Sequence, residues 1–159
     1  MSGANLPKNF QIESIPKIDA DTWRKILNRS AGGDTPPMEH LLLCDSRRSL
    51  ILGEYRRAVL DAGTAAELSL TRLLDSELEA TTEPIRKMIR KSVCQLGPLV
   101  ETLRGLGMSL PDNIQVELIR PRNLASHAGI SPTDHEASKA VAMASVLVDI
   151  PLPHDKLLD

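Results

Sequence analysis

The stretch EYRRAVLDAGTAAELSLTRLLDSELEA, residues 54–80, constrains the fold more than any other part of the chain. Tyr55, Ala58, Val59, Ala62, Ala66, Leu70, Leu73 and Leu74 recur at three- and four-residue spacing, so one face of a long helix is apolar. That stripe must be covered by something. Ala62, Gly63, Ala65 and Ala66 are small enough to let another helix come close. At about 100° per residue, Glu67 falls on the flank of the stripe, not opposite it. A carboxylate at the edge of a packing seam needs a cation, and an ion pair with an arginine is the structural explanation for it.

The rest of the composition points the same way. Phe10, Trp23 and Tyr55 are the whole aromatic content, 2% of 159 residues, while 42% of the chain is apolar. The core must therefore be built from Leu, Ile, Val, Ala and Met. Strands favour aromatic and β-branched residues, so this is the composition of a helix bundle. The length suits one domain with a sizeable core.

Residues 1–35 read as an irregular arm, broken by Pro7, Pro16 and the cluster AGGDTPP, with one short helix over 21–29 capped by Asp21. A helix over 36–52 follows, with Thr35 as cap, Pro36 in its first turn and Gly53 as its stop. Residues 84–106 are helical but interrupted at Gly97-Pro98, either by a kink or by a break into two. The element 114–127 comes next, with a bend at Pro121 that pushes Arg120 out of helical geometry. The last helix covers 131–150, capped by Ser131. The expectation is an all-α bundle of about five helices in 36–150, with a tail at 151–159.

The net charge is −2 and no dense basic tract is present, which argues against nucleic-acid binding through bulk charge. Cys44 and Cys94 are isolated and fit a reducing compartment. The N-terminus lacks the apolar core of a signal peptide, and the longest apolar run, AVAMASVLV, is too short to span a bilayer. A cytoplasmic protein without a membrane partner is expected.

Phosphate-loop, dinucleotide, zinc-hydrolase and nucleophile-elbow motifs are all absent, so no cofactor and no metal site is expected. His40, His135 and His154 stand in exposed-looking contexts, and Asp134-His135-Glu136 reads as a helix-start charge cluster. What remains is RPRNLASHAG, residues 120–129. Asn123 and His127 are four apart and share a helix face, so Asn123 could orient the imidazole. Arg122 lies about 140° around the helix from His127. The two can serve one small target only through a bend or through the pairing of two chains.

Such a set suits metal-free RNA cleavage by the ribose 2′-OH. Histidine can move protons near neutrality, and arginine can hold the charge that builds on phosphorus. The structural alternative is equally concrete. His127 would sit favourably on the C-terminal carbonyls of its helix, and Arg122 would simply pair with Glu67 or Glu117.

The segment IRPRNLASHAG resembles the R-(N/D/H)-x-x-x-H signature of the HEPN superfamily (higher eukaryotes and prokaryotes nucleotide-binding domains). EYRRAVLDAGTAAELSLTRLL resembles the second-helix pattern of its bacterial members, and the resemblance covers about 36–150. It implies a HEPN-like up-and-down helical bundle that forms a homodimer with two motifs facing across a cleft. It implies an endoribonuclease of toxin–antitoxin or defence systems, with Arg122 and His127 catalytic. Asn123 and Arg120 would bind or orient RNA, and Glu67 would support Arg122. Other members of the family keep the fold without cutting RNA and serve as dimerisation, interaction or ligand-sensing modules of larger systems, with a protein partner of their own.

Overall fold

The computed structural model describes residues 20–33, 35–93 and 95–151. Most of the arm, Cys94, His154 and the tail from 152 onward lie outside the described residues. Seven α-helices and one π-helical turn make up the ordered elements among those described, and none of the described residues forms a strand. They fall into two compact units divided between Thr35 and Pro36. The all-α expectation holds. The expected count of about five helices was too low.

The first unit carries α1 (Ala20–Ala31). Asp21 is not its cap but lies within its first turn, where it accepts a 2.8 Å bond from Arg24. The second unit runs through α2 (Met38–Ile51), α3 (Tyr55–Glu77), α4 (Glu83–Ser92) and α5 (Leu96–Gly105). A π-helical turn (Gln115–Ile119), α6 (Arg120–His127) and α7 (Asp134–Asp149) complete it. Of the two alternatives for the region 84–106, a kink or a break, the structure has the break: the region forms two helices, α4 and α5. α4 ends at Ser92 and α5 begins at Leu96, ahead of Gly97-Pro98, and this puts Pro98 in the first turn of α5. There its missing N–H costs nothing, because first-turn donors have no helical partner.

The long stripe forms α3, and α3 is the centre of the bundle. It buries Ala58, Val59, Ala62, Ala66, Leu70 and Leu74 and packs against α2, α5, α6 and α7. Packing against both the motif helix and the last helix is what its small residues allow. The core it shares with Leu43, Leu99, Leu103, Ile114, Leu118 and Leu147 is aliphatic throughout. Two buried serines tie α3 to its neighbours. Ser46 of α2 donates to the Ala58 carbonyl at 2.9 Å, and Ser69 donates to the Leu147 carbonyl at 3.3 Å.

Three local expectations are corrected. Pro37, not Thr35, takes the N-cap position of α2. His40 is buried, not on the surface, where α2 packs against α3. Its neighbour Glu39 is also buried and forms an ion pair with Arg72 of α3 at 3.0 Å. The last helix is capped by Thr133, not by Ser131. Thr133 and Glu136 form a reciprocal capping box, which satisfies two terminal donors at once. Among the described residues, no helix is long and apolar enough to cross a membrane.

Candidate functional site

Pro121 does not bend Arg120 out of the helix. Arg120 is helical, with φ −63° and ψ −51°, and its N–H reaches back five residues to the Gln115 carbonyl. The π turn before α6 supplies the reason. Its wider spacing makes room for the proline ring, which would clash with a carbonyl four residues earlier in a regular α-helix. Pro121 then occupies the first turn of α6 and is buried along with Ala125, one turn on.

That small buried face seats α6 on α3. Arg56, near the start of α3, donates from Nε to the Ala125 carbonyl at 2.9 Å. Arg122 lies over Gly63, where a Cβ would stand 2.7 Å from the arginine Cγ. One turn further along α3, Glu67 Oε2 accepts from Arg122 Nη2 at 3.2 Å. Gly63 and Glu67 are four apart on one face, so the glycine clears the path of the side chain and the glutamate receives its end. The pair is partly open to solvent, with 23% of the Arg122 side chain and 29% of the Glu67 side chain exposed. Glu117, the other carboxylate that sequence offered to Arg122, pairs with Lys139 of α7 at 3.6 Å.

Asn123 is exposed, and its Oδ1 accepts from Arg122 Nη1 at 3.2 Å. It orients the arginine, where the sequence suggested that it orients His127. His127 is exposed in the last turn of α6, and no hydrogen bond joins it to Arg122, Asn123 or Glu67 among the described residues. Gly129, at φ +65°, turns the chain after it so that the Ile130 N–H reaches the Leu124 carbonyl at 3.2 Å. The regular geometry of α6 keeps Arg122 and His127 about 140° apart. Arg120 is exposed on the outer face of the same helix.

The structure therefore brings Glu67, Arg122 and Asn123 together and leaves His127 and Arg120 on the solvent side. Sequence reasoning missed Arg56. An arginine at a helix start carries no mark that distinguishes a carbonyl donor from a surface charge. It noted Gly63 as a small residue without seeing that Arg122 crosses it. The spacing of Gly63 and Glu67 held that information.

Among the described residues, no group of three or more His, Cys, Asp or Glu side chains is placed to hold a metal ion. Cys44 is a free, exposed thiol. No protein-family model, curated protein or solved structure matches this chain.

Proposed function

We propose that this chain is a metal-independent endoribonuclease of HEPN type that works as a homodimer in a toxin or defence system. The observation that carries the reading is the seating of Arg122. Glu67 and Asn123 hold its guanidinium at the protein surface, while the helix that carries it also presents an exposed His127. A guanidinium fixed in this way is preorganised for a phosphate, whose oxygens accept its forked donors.

The reaction needs a proton removed from the ribose 2′-OH and a proton given to the departing 5′ oxygen. His127 takes the first, and the partner's His127 gives the second. Arg122 stabilises the five-coordinate phosphorus between them. The 2′ oxygen bonds to phosphorus, the bond to the 5′ oxygen breaks, and the products are a 2′,3′-cyclic phosphate and a 5′-hydroxyl. One imidazole per chain supplies two proton-transfer groups only in a dimer, and C2 symmetry is the common form of soluble homo-oligomers.

The second reading is a non-catalytic HEPN-like dimerisation, interaction or ligand-sensing module. It is favoured by the lack of any bond from Arg122 to His127, which stands exposed and apart from the arginine. Cleavage of single-stranded RNA in EDTA, with His127→Ala as control, separates the two. A well-folded wild type that cuts no RNA moves the assignment to the module. Light scattering that finds a monomer at micromolar concentration removes the paired-site mechanism.

A further inference from the structure

A groove of about 280 Å³ runs between α6 with its π turn and the start of α7. Val116, Pro121 and Leu124 give it an apolar floor, and Val116 is 65% and Leu124 38% exposed. Arg120, His135 and Lys139 stand on its rim. The two carboxylates that also line it already have partners of their own. Glu117 pairs with Lys139 at 3.6 Å. Glu136 Oε2 accepts from both the backbone N–H and the hydroxyl of Thr133, at 2.8 Å each. The Arg120 side chain makes no ion pair or hydrogen bond with the described residues. Arg120 and His135 both line the groove, one from α6 and one from α7.

The groove is in register with the motif. Seven residues separate Arg120 from His127, about 700° of rotation, which returns to within about 20° of the same face. They lie about 10 Å apart along the helix axis. Arg120, Asn123, Leu124 and His127 thus form one exposed stripe. A strand with its reacting phosphate at His127 would follow that stripe onto the groove.

We infer that the groove is a subsite for a nucleotide of single-stranded RNA beside the scissile phosphate, with its base on Val116 and Leu124 and its phosphate on Arg120 and His135. The inference rests on the ribonuclease reading of His127. The volume is at the low end of ligand-sized cavities, with room for one nucleoside and not for a duplex. An apolar floor takes the face of a base, and an unpaired guanidinium takes a phosphate oxygen. Only an unpaired strand can turn a base into it.

The probe is a fluorescent single-stranded RNA with 2′-O-methyl groups, which the enzyme binds without cutting. Anisotropy with the full chain is read over a range of salt, together with cleavage of the unmodified RNA in EDTA. Arg120→Ala weakens binding by about tenfold and lowers the salt slope by about 0.7, the share of one phosphate contact on a single strand. Leu124→Ser weakens binding with the slope unchanged. In cleavage, Arg120→Ala raises KM and leaves kcat near wild type, because the contact is uniform binding. If both variants bind as wild type does while RNA is still cut, the groove assignment is wrong and the ribonuclease stands. If binding depends on Arg120 and nothing is cut, the groove stands and the ribonuclease falls. A wild type that neither binds nor cuts overturns both.

Discussion

Arg122 crosses α3 directly over Gly63, so closely that a Cβ there would stand 2.7 Å from the arginine Cγ and 3.4 Å from its Cβ. The crowded atoms belong to the root of the side chain, which cannot swing aside as its tip could. Gly63→Ala therefore forces Arg122 into another rotamer and away from Glu67. Alanine favours a helix interior by about 1 kcal/mol over glycine, which offsets much of the loss in stability. The variant should melt within a few degrees of wild type and, under the proposed ribonuclease function, cut RNA at least tenfold more slowly, about half the logarithmic loss of an oxyanion-stabilising group. Wild-type cleavage by this variant would show that Gly63 does not control the arginine.

Glu67 and Arg122 should couple weakly but measurably. Their side chains are 29% and 23% exposed, and solvent screening holds such a pair to about 0.5–1 kcal/mol. A double-mutant cycle with Glu67→Gln and Arg122→Met, read by denaturant unfolding, isolates that energy. Zero coupling would mean that the pair is not held in solution. In the cleavage assay Glu67→Gln should cost less than loss of Arg122 itself, since it misplaces the cation without removing it.

The chemistry predicts its own fingerprints. Cleavage should persist in EDTA and leave 2′,3′-cyclic phosphate ends. RNA carrying 2′-O-methyl groups should resist, and DNA should be untouched, because in the proposed reaction the nucleophile is the substrate's own 2′-OH. His127→Ala and Arg122→Ala should each lose about 10²-fold or more. Asn123→Ala should lose less, since its Oδ1 only helps to aim Arg122. Undiminished cleavage by the His127 variant would point to a contaminating nuclease.

Two carboxyls tie stability to pH with opposite signs. Hydrogen bonds from the Thr133 backbone and hydroxyl hold Glu136 below the ordinary glutamate value. Its ionised form thus favours the folded chain. That contribution is complete above the unfolded value and disappears as pH falls through the lower folded one. Burial raises Asp61, against the opposing pull of Arg57 and with added repulsion from Asp45. Its contribution is present below the unfolded value and is lost as pH rises through the raised one. Thr133→Ala should cost about 1 kcal/mol near neutrality, as loss of an N-cap does, and should flatten the acid limb of the unfolding profile. The Thr133 backbone N–H still reaches the carboxylate in that variant, so the decisive control is Glu136→Gln, and an acid limb unchanged there would remove Glu136 from the account.

Much of the architecture was legible in the one-dimensional pattern. All the striped residues of 54–80 except the partly buried Tyr55 are ones α3 buries, because helical periodicity and burial are two expressions of the same 3.6-residue turn. Glu67 stood out at the flank of that stripe, and a carboxylate there needs a cation wherever the chain folds. The scarcity of aromatic residues excluded a strand-rich core on composition alone.

What sequence could not decide depends on which elements meet. Pro121 by itself argues for a bend, and only the π turn that precedes it shows how the helix passes through undistorted. His40 looked like a surface residue until α2 was set against α3, where its buried neighbour Glu39 meets Arg72. Asn123 was given to His127 by helical spacing, yet the side chain bonds to Arg122, which α3 brings within its reach. Local spacing determines which residues share a face. The partner of that face is a contact between segments far apart in the chain, and packing of whole helices selects it.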